Sequence, residues 1–319
     1  MPLAEKALIS RIRRKAASGR SILIGIGDDC AVLPPTGREA LVTTDFSLEG
    51  VHFRREWHPA ESVGHRCLAR GLSDIAAMGG DPRAAFLSLA LPRNLPQAWV
   101  DGFLRGLLKL AKRFGVGLAG GDTAESLGGV LADIVVLGSV PKGKAILRSG
   151  ARPGDRIYVS GELGGSAETL HRMMEKPKHK LKPADFSQHF FPEPRVQLGR
   201  FLSDKGLASA MIDISDGLST DLAHICEESS VGAEVQAEAI PRATIGKPEQ
   251  EVDLEFALHG GEDYELLFTA PRGKRVPARI AGVPITLIGH IKRGRNTVIL
   301  VNNGGEGREL RPGGWEHFK

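Results

Sequence analysis

The sequence has few cysteines, few aromatic residues and no long hydrophobic run. Its 3 cysteines, Cys30, Cys67 and Cys226, lie far apart without CxxC or Cys/His spacing. This pattern argues against a disulfide scaffold or a structural zinc site, and it fits a reducing compartment. The most apolar stretches are much shorter than the ~20 residues that span a bilayer, and the start of the chain lacks the apolar core of a signal peptide. We therefore expect a cytoplasmic protein without a membrane segment.

The charge is nearly balanced. The chain has 42 Lys and Arg against 38 Asp and Glu, which leaves a net charge of +4, and aromatic residues make up 5%. Nucleic-acid-binding surfaces usually show a stronger basic excess or aromatic stacking positions. We therefore expect no nucleic-acid partner.

Strand-like and helix-like segments interleave through both halves of the 319 residues. This pattern favours an α/β or α+β fold, and the length favours about two domains. In the first half we predict strands at 22–26, 40–44, 84–91, 116–119 and 130–140, with helices near the amino terminus, at 62–78 and at 96–114. A segment rich in glycine, proline and basic residues, 141–155, marks the domain boundary. In the second half we predict helices at 166–174, 194–205 and 220–229, and strands at 156–160, 210–214, 234–237, 264–269, 286–291 and 297–301.

Aspartates follow four of the apolar, strand-like runs. SILIGIG leads into Asp28–Asp29, ALVTT into Asp45, VGLAGG into Asp122, and SAMI into Asp213, with Asp216 three residues later. Ligands bind at strand ends in α/β sheets, because the loops there are held on a rigid frame. Aspartate also favours turns and helix N-caps, so each position alone has a simpler explanation. The fourfold recurrence favours a site.

Asp74 lies inside a predicted helix with the sequence GLSDIAAMGG. A carboxylate in such apolar surroundings is costly unless it is paired or binds a metal. Exposure to solvent, or pairing with Arg70 one turn earlier, would also explain it. Several carboxylates in one place would repel each other unless a divalent cation joins them, and Mg²⁺ prefers oxygen ligands and substrate phosphates. Without a Cys or His cluster, zinc and softer metals are disfavoured. The sequence thus predicts Mg²⁺ and a phosphorylated substrate.

Two glycine-rich turns, GGDT at 120–123 and GELGGS at 161–166, add a weak phosphate-binding signal, because backbone N–H groups at such turns can hold anions. The chain has no GxxxxGK[ST] motif and no HRD or DFG set, which excludes P-loop and protein-kinase mechanisms. The motif GGED at 260–263 places two acids before a strand, either in a site or as solvated acids of a tight turn.

Seven motifs in order resemble the thiamine-monophosphate kinase family, and they cover nearly the whole chain. They are GIGDDCAVL at 25–33, TTDFSLEGVHF at 43–53, LSDIAAMGGDP at 72–82, GGDT at 120–123, SGELGGSA at 160–167, MIDISDGLSTDLAHI at 211–225 and GGEDYELLFT at 260–269. Some of these pieces are shared with relatives of aminoimidazole ribonucleotide synthetase. The combination of TDFSLEGVHF with GGEDYELLFT separates the kinases from them.

The resemblance implies ATP-dependent phosphorylation of thiamine monophosphate to thiamine diphosphate, with several Mg²⁺ ions. It also implies a homodimer with a two-domain aminoimidazole ribonucleotide synthetase-like fold. Residues 1–142 would form an N-terminal domain that binds ATP and Mg²⁺ and dimerises through its sheet. Residues 143–319 would form a C-terminal α/β domain that completes the nucleotide and substrate site.

The same resemblance implies site residues. The metal ligands would be Asp29, Thr43, Thr44, Asp45, Asp74, Asp122, Asp213 and Asp216. The ATP-binding residues would be Gly121, Asp122, Arg148 and Ser215, and the substrate-binding residues would be His52, Glu262 and Trp315. No general base or covalent nucleophile is expected. Arg70 and Gly71 depart from the family pattern, which has a small apolar residue and Asn there, and this concerns a helix-packing or backbone contact.

Two other functions remain open from the sequence. The chain could be an ATP-dependent synthetase or ligase of the same superfamily that phosphorylates an amide or carbonyl oxygen. It could also be a nucleotide or thiamine-phosphate sensor, although the complete set of aspartates argues against lost metal binding.

Overall fold

A computed structural model describes residues 5–16, 22, 33, 35, 37–178, 180–294 and 296–315. The chain divides into two compact units. Unit 1 comprises Met1–Ile75 and Asp81–Gly143, and unit 2 comprises Ala76–Gly80 and Lys144–Lys319. Each unit is described separately below.

The elements that begin in unit 1 alternate between helices and strands. In chain order they are α1 (Glu5–Lys15), β1 (Glu39–Leu48), α2 (Ala60–Ala77), β2 (Asp81–Pro92), α3 (Gln97–Phe114), β3 (Gly117–Ser126) and β4 (Leu131–Val140). Helix α3 begins just after Pro96 and ends at Gly115 with φ 67°, which follows the usual preference for proline at a helix start and glycine after its end.

The four strands of unit 1 form one sheet in the order β1-β4-β2-β3, in which only β2 and β3 pair in parallel. Successive side chains of a strand point to opposite faces. Strand β1 therefore turns Leu41, Thr43 and Asp45 to one face and Val42, Thr44 and Phe46 to the other. Helix α2 covers the first face: a Cβ on its Gly71 would lie 2.5 Å from Val136 Cγ2 of β4 and 3.6 Å from Thr43 Cγ2.

Unit 2 is richer in short elements. In chain order they are β5 (Arg156–Ser160), α4 (Gly165–Glu175), a 3₁₀ turn (Pro183–Asp185), α5 (Ser187–Phe190), α6 (Val196–Lys205), β6 (Ala210–Asp213), α7 (Leu218–Ser229), β7 (Gly232–Gln236), a 3₁₀ turn (Ala237–Ala239), β8 (Thr244–Ile245), β9 (Gln250–Glu251), α8 (Leu254–His259), β10 (Leu266–Ala270), β11 (Arg279–Ile280), β12 (Val283–Lys292), β13 (Val298–Val301) and β14 (Gly307–Glu309).

The main sheet of unit 2 has the order β14-β13-β7-β12-β5-β10-β6, with β11 paired to β12. Strands β13 and β7 pair in parallel, and the other neighbours pair antiparallel. Central strand residues such as Ile157 and Leu267 are fully buried, together with Leu218, Leu222 and Ile225 of α7. This packing holds α7 firmly beside the end of β6.

The structure confirms the α/β class and most predicted elements, with one correction that concerns the site. Strands β1 and β3 do not end before Asp45 and Asp122 but continue to Leu48 and Ser126. The prediction of these two aspartates at strand ends is therefore wrong. It failed because polar residues on an exposed strand face resemble the start of a loop in sequence.

Smaller differences remain. The short elements α5, α8, β8, β9, β11 and β14 were missed, and the predicted strand at 22–26 lies outside the described residues, as do Asp28 and Asp29. Within the described part of the chain, every helix is too short or too polar to cross a membrane.

Candidate active site

The turn between β6 and α7 carries three of the predicted site residues. Asp213 is the last residue of β6, pairs with Leu266 of β10 and is 4% exposed. The next residue, Ile214, continues the pairing: its N–H donates to Glu265 O at 2.8 Å, and its O accepts from Tyr264 N at 2.9 Å. Ser215 and Asp216 follow in the turn. The buried strand thus fixes the backbone from which Asp213 and Asp216 project.

Asp221, in the first turn of α7, fastens this turn. Its Oδ2 accepts hydrogen bonds from the backbone N–H groups of Ser215, Asp216 and Gly217 at 3.1, 3.2 and 3.0 Å. Burial and the nearby charges of Asp213 and Asp216 raise the pKa of Asp221 well above its ordinary value. Sequence reasoning missed this residue. The signal that could have found it is an aspartate four residues after a helix-opening glycine, where a carboxylate can cap N–H groups.

The carboxylates around this turn suit a hard cation. Asp216, Asp221 and His224 each bring one ligand atom within 4.8 Å of the others. Asp213 and Asp221 are almost fully buried, and carboxylates buried side by side repel one another unless a positive charge compensates them. Carboxylate oxygens are the ligands that Mg²⁺ prefers. The residues present in unit 2 therefore fit a magnesium ion.

Two distant segments meet the same turn. The N–H of Glu262 donates to Ser215 O at 2.8 Å, and the N–H of Trp315 donates to Asp216 O at 3.3 Å. Glu262 has a φ of 65°, a left-handed conformation that a non-glycine residue adopts only at a cost. Trp315 is 58% exposed. The structure thus brings Asp213, Ser215, Asp216, Glu262 and Trp315 to one place.

Arg148 lies beside the edge of the same sheet. Leu147 O accepts a hydrogen bond from Met211 N of β6 at 2.9 Å, and Arg148 O accepts one from Ser229 Oγ at 3.1 Å. These bonds fix the backbone while the Arg148 side chain stays exposed. A guanidinium in this position is available to an anionic ligand.

In unit 1, Thr43 and Asp45 of β1 lie on the face covered by α2, and α2 carries Asp74. Thr43 Oγ1 donates to Asp74 Oδ2. Arg70 Nη1 lies 3.7 Å from Asp45 Oδ1 and donates to Phe46 O at 2.7 Å. The two departures from the family pattern thus have a structural role: Gly71 lets α2 approach β4 closely, and Arg70 contacts Asp45.

Thr44 and Asp122 lie on the other face of this sheet. Thr44 Oγ1 donates to Asp133 Oδ1 at 2.7 Å. Ser88 of β2 lies opposite Asp133 of β4 on one side and opposite Asp122 of β3 on the other, so these residues share one face of the sheet. Asp122 is exposed, and its Oδ1 accepts from Thr123 N at 2.8 Å. The structure therefore separates the predicted metal ligands of unit 1 into two groups. Asp133, in the second group, was not found from the sequence.

Gly121 of β3 packs directly against the backbone of the neighbouring strand β2. Its φ is 151°, and a Cβ would lie 1.9 Å from Leu87 O of the neighbouring strand. Only glycine fits there. Gly121 is therefore needed for the close packing of β3 against β2 beside Asp122.

Comparison with known proteins gives a consistent result. The models for the N-terminal and C-terminal domains of AIR synthase related proteins match residues 27–140 and 152–302. The thiamine-monophosphate kinase of Escherichia coli K12 is 38% identical over 329 aligned residues, which cover 100% of this chain and 99% of that protein. The chain belongs to the thiamine-monophosphate kinase family.

Solved structures of thiamine-monophosphate kinases are also similar to this chain. The thiamine-monophosphate kinase of Stenotrophomonas maltophilia K279a has a TM-score of 0.81 and 37% identity, and the match covers 97% of this chain and 99% of that chain. The complex of AaThiL with AMPPCP and TMP has a TM-score of 0.76 and 31% identity, and it covers 100% of this chain and 99% of that chain.

His52 lies just after β1. Its Nδ1 accepts a hydrogen bond from Leu48 N at 3.0 Å, so a neutral ring carries its proton on Nε2. This makes Nε2 the donor of the ring, which is the polarity that a phosphate oxygen requires.

An acid of the GGED motif accepts hydrogen bonds from backbone N–H groups of the GELGGS motif. Asp263 Oδ2 accepts from Gly164 N at 2.7 Å, and Oδ1 accepts from Ser166 N at 3.4 Å. These N–H groups at the start of α4 are therefore occupied by the carboxyl group of Asp263, which disfavours the phosphate-binding interpretation of GELGGS. Burial raises the pKa of Asp263 to about 8. The alternative of two solvated acids in GGED is thus wrong for Asp263.

Proposed function

We propose that this chain transfers the γ-phosphoryl group of ATP to thiamine monophosphate and forms thiamine diphosphate and ADP. The observation that carries the proposal is the turn at 213–217, where acidic groups, a serine, Glu262 and the exposed Trp315 indole meet. Membership in the kinase family and the likeness to a complex with AMPPCP and TMP support it.

We propose that Mg²⁺ binds to oxygen ligands in each unit. In unit 2 these are Asp213 and Asp216. In unit 1 they are Asp29, Thr43, Thr44, Asp45, Asp74 and Asp122, of which Asp29 lies outside the described residues. The repulsion among Asp213, Asp216 and Asp221 supports a cation in unit 2. When bound, the ions offset the charges of two polyanionic substrates.

The remaining residues orient the substrates. Gly121, Asp122, Arg148 and Ser215 are proposed to bind ATP, with the planar guanidinium of Arg148 directed to phosphate oxygens. His52, Glu262 and Trp315 are proposed to bind thiamine monophosphate. Stacking of the indole on the cationic thiazolium ring would contribute about 1–2 kcal/mol.

The chemistry needs no general base. The acceptor is a phosphate monoester with a second pKa of about 6, so at neutral pH its oxygen is already a deprotonated nucleophile. That oxygen forms a bond to the γ-phosphorus in line with the β–γ bridging oxygen, which leaves with ADP. Incubation with γ-labelled ATP but no acceptor should leave the protein unlabelled, and a stable phosphoenzyme would exclude direct transfer.

We further propose a cytoplasmic homodimer. Residues 1–142 would form the nucleotide-binding and dimerising domain, and residues 143–319 the domain that completes the site. Val42 and Phe46 support the dimer, because these large apolar side chains are 66% and 53% exposed on the sheet face that α2 does not cover, and exposed apolar patches often mark protein interfaces. The buried, unpaired Cys67 and Cys226 fit a reducing compartment.

The deciding experiment incubates purified protein with Mg²⁺, ATP and thiamine monophosphate. Thiamine diphosphate is measured by fluorescence after oxidation, and ADP is measured in parallel. Equal amounts of both products are expected. ADP formation that needs a different acceptor would instead indicate a synthetase or ligase, and tight ATP binding without turnover would indicate a sensor.

A further inference from the structure

The last described residues form a segment that lies across the start of α7. We name residues 313–315 the C-terminal strap. The chain reaches it from Leu310, which is 3% exposed and whose N–H donates to Val298 O at 2.8 Å. The strap therefore leaves the sheet of unit 2 from a fixed point.

Three consecutive N–H groups fasten the strap. Gly313 N donates to Ser219 Oγ at 3.3 Å, Gly314 N donates to Thr220 Oγ1 at 3.1 Å, and Trp315 N donates to Asp216 O at 3.3 Å. Two of the acceptors are therefore side-chain hydroxyls from the first turn of α7. Ser219 Oγ also contacts His259 Nδ1 at 2.8 Å.

The strap backbone lies so close to the turn before α7 that its second residue, Gly314, has no room for a side chain. A Cβ on Gly314 would lie 1.9 Å from Asp216 O and 2.7 Å from Thr220 Oγ1. The strap backbone thus touches the carbonyl of a proposed metal ligand, and the next residue is Trp315. A displacement of the strap would move the indole relative to Asp216.

We propose that the hydroxyls of Ser219 and Thr220 are positioning residues for Trp315 and thereby determine affinity for the aromatic acceptor. They do not touch the reacting atoms. They hold the strap at the distance from Asp216 at which the exposed indole meets the acceptor's cationic ring. This inference rests on the proposed function, because it assigns Trp315 to the thiamine moiety.

The test replaces Thr220 by valine, which keeps the β-branched shape but removes the acceptor oxygen. A single hydrogen bond changes a binding constant by roughly three- to tenfold. Thr220→Val should raise KM for thiamine monophosphate by that factor and leave kcat and KM for ATP unchanged. Thr220→Ser keeps the hydroxyl and should have the KM for thiamine monophosphate of the unaltered protein. Thr244→Val, at an exposed position of β8, is the matched control and should behave like the unaltered protein.

A double-mutant cycle separates positioning from general damage. In a Trp315→Ala background, Thr220→Val should have no further effect on KM for thiamine monophosphate, because the group that it positions is gone. Thermal unfolding of each variant checks that the fold is retained, and Gly314→Ala, which displaces the strap directly, should raise the same KM.

The outcomes are distinct. An unchanged KM in Thr220→Val, or an equal increase with and without Trp315, would overturn the positioning role while leaving the kinase function intact. Absence of thiamine diphosphate from the unaltered protein would overturn both proposals.

Discussion

At the scale of single residues, Asp213 has the most constrained position among the proposed ligands. It ends a buried strand, and Asp216 and Asp221 lie near it. Asp213→Asn keeps the size but removes the charge, so we expect turnover of thiamine monophosphate to fall by roughly a hundredfold or more and to require more Mg²⁺. The measurement is initial rate against Mg²⁺ concentration. Asp204→Asn, an exposed aspartate of α6, is the control, and a near-normal rate in Asp213→Asn would remove this residue from the site.

A second prediction at this scale concerns Asp263. Burial raises the pKa of this residue from 3.8 to about 8. Between these values the folded protein holds a proton that the unfolded chain releases, so its free energy of unfolding falls as the pH rises. Asp263→Asn removes this titration. From pH 5 to pH 8, the wild type should lose more than about 1 kcal/mol relative to the variant, since one pKa unit corresponds to about 1.4 kcal/mol.

Urea unfolding at both pH values measures this difference. Asp204→Asn should follow the wild type at both. Parallel changes in the wild type and in Asp263→Asn would show that Asp263 does not titrate in this range.

At the scale of elements, the contact between α2 and the sheet of unit 1 sets the position of Asp74 against Thr43. A Cβ on Gly71 would lie 2.5 Å from Val136 Cγ2, and valine cannot move away easily because its χ1 is restricted. Gly71→Ala should therefore lower the free energy of unfolding by about 1–3 kcal/mol, although alanine favours helix by ~1 kcal/mol.

Chemical denaturation of four proteins tests this contact: wild type, Gly71→Ala, Val136→Ala and the double variant. In the Val136→Ala background the 2.5 Å contact with Cγ2 is absent and only the 3.2 Å contact with Cβ remains, so Gly71→Ala should cost much less than in the wild type. The same loss in both backgrounds would mean that the strain arises elsewhere.

At the scale of the whole molecule, the face of the unit 1 sheet that exposes Val42 and Phe46 should be covered by a second copy. Val42→Glu places a charge there, and burying an unpaired charge at an interface is costly. We expect the wild type to be a dimer and Val42→Glu to dissociate, as measured by light scattering over a range of concentrations. Met174→Glu, at an exposed methionine of α4, should remain dimeric. A wild type that is monomeric at all concentrations would contradict the proposal.

The local pattern of the sequence was sufficient for much of this protein. The apolar periodicity located α2, α3, β4 and β5, because each buries one face or both over enough residues to leave a repeating signal. The order of the motifs identified the family. Asp213 was correctly placed at a strand end, since the buried AMID segment stops where the polar turn begins.

Only the tertiary structure decided which side chains lie close together or on the same face of a sheet. It extended β1 beyond Asp45 and turned Thr43 and Thr44 to opposite faces, because strand alternation assigns faces only once the strand and its neighbours are known. It also brought Asp263 to the start of α4 and the C-terminal strap to Thr220. Contacts between residues up to a hundred positions apart leave no local period in a sequence, so they depend on how the chain folds back on itself.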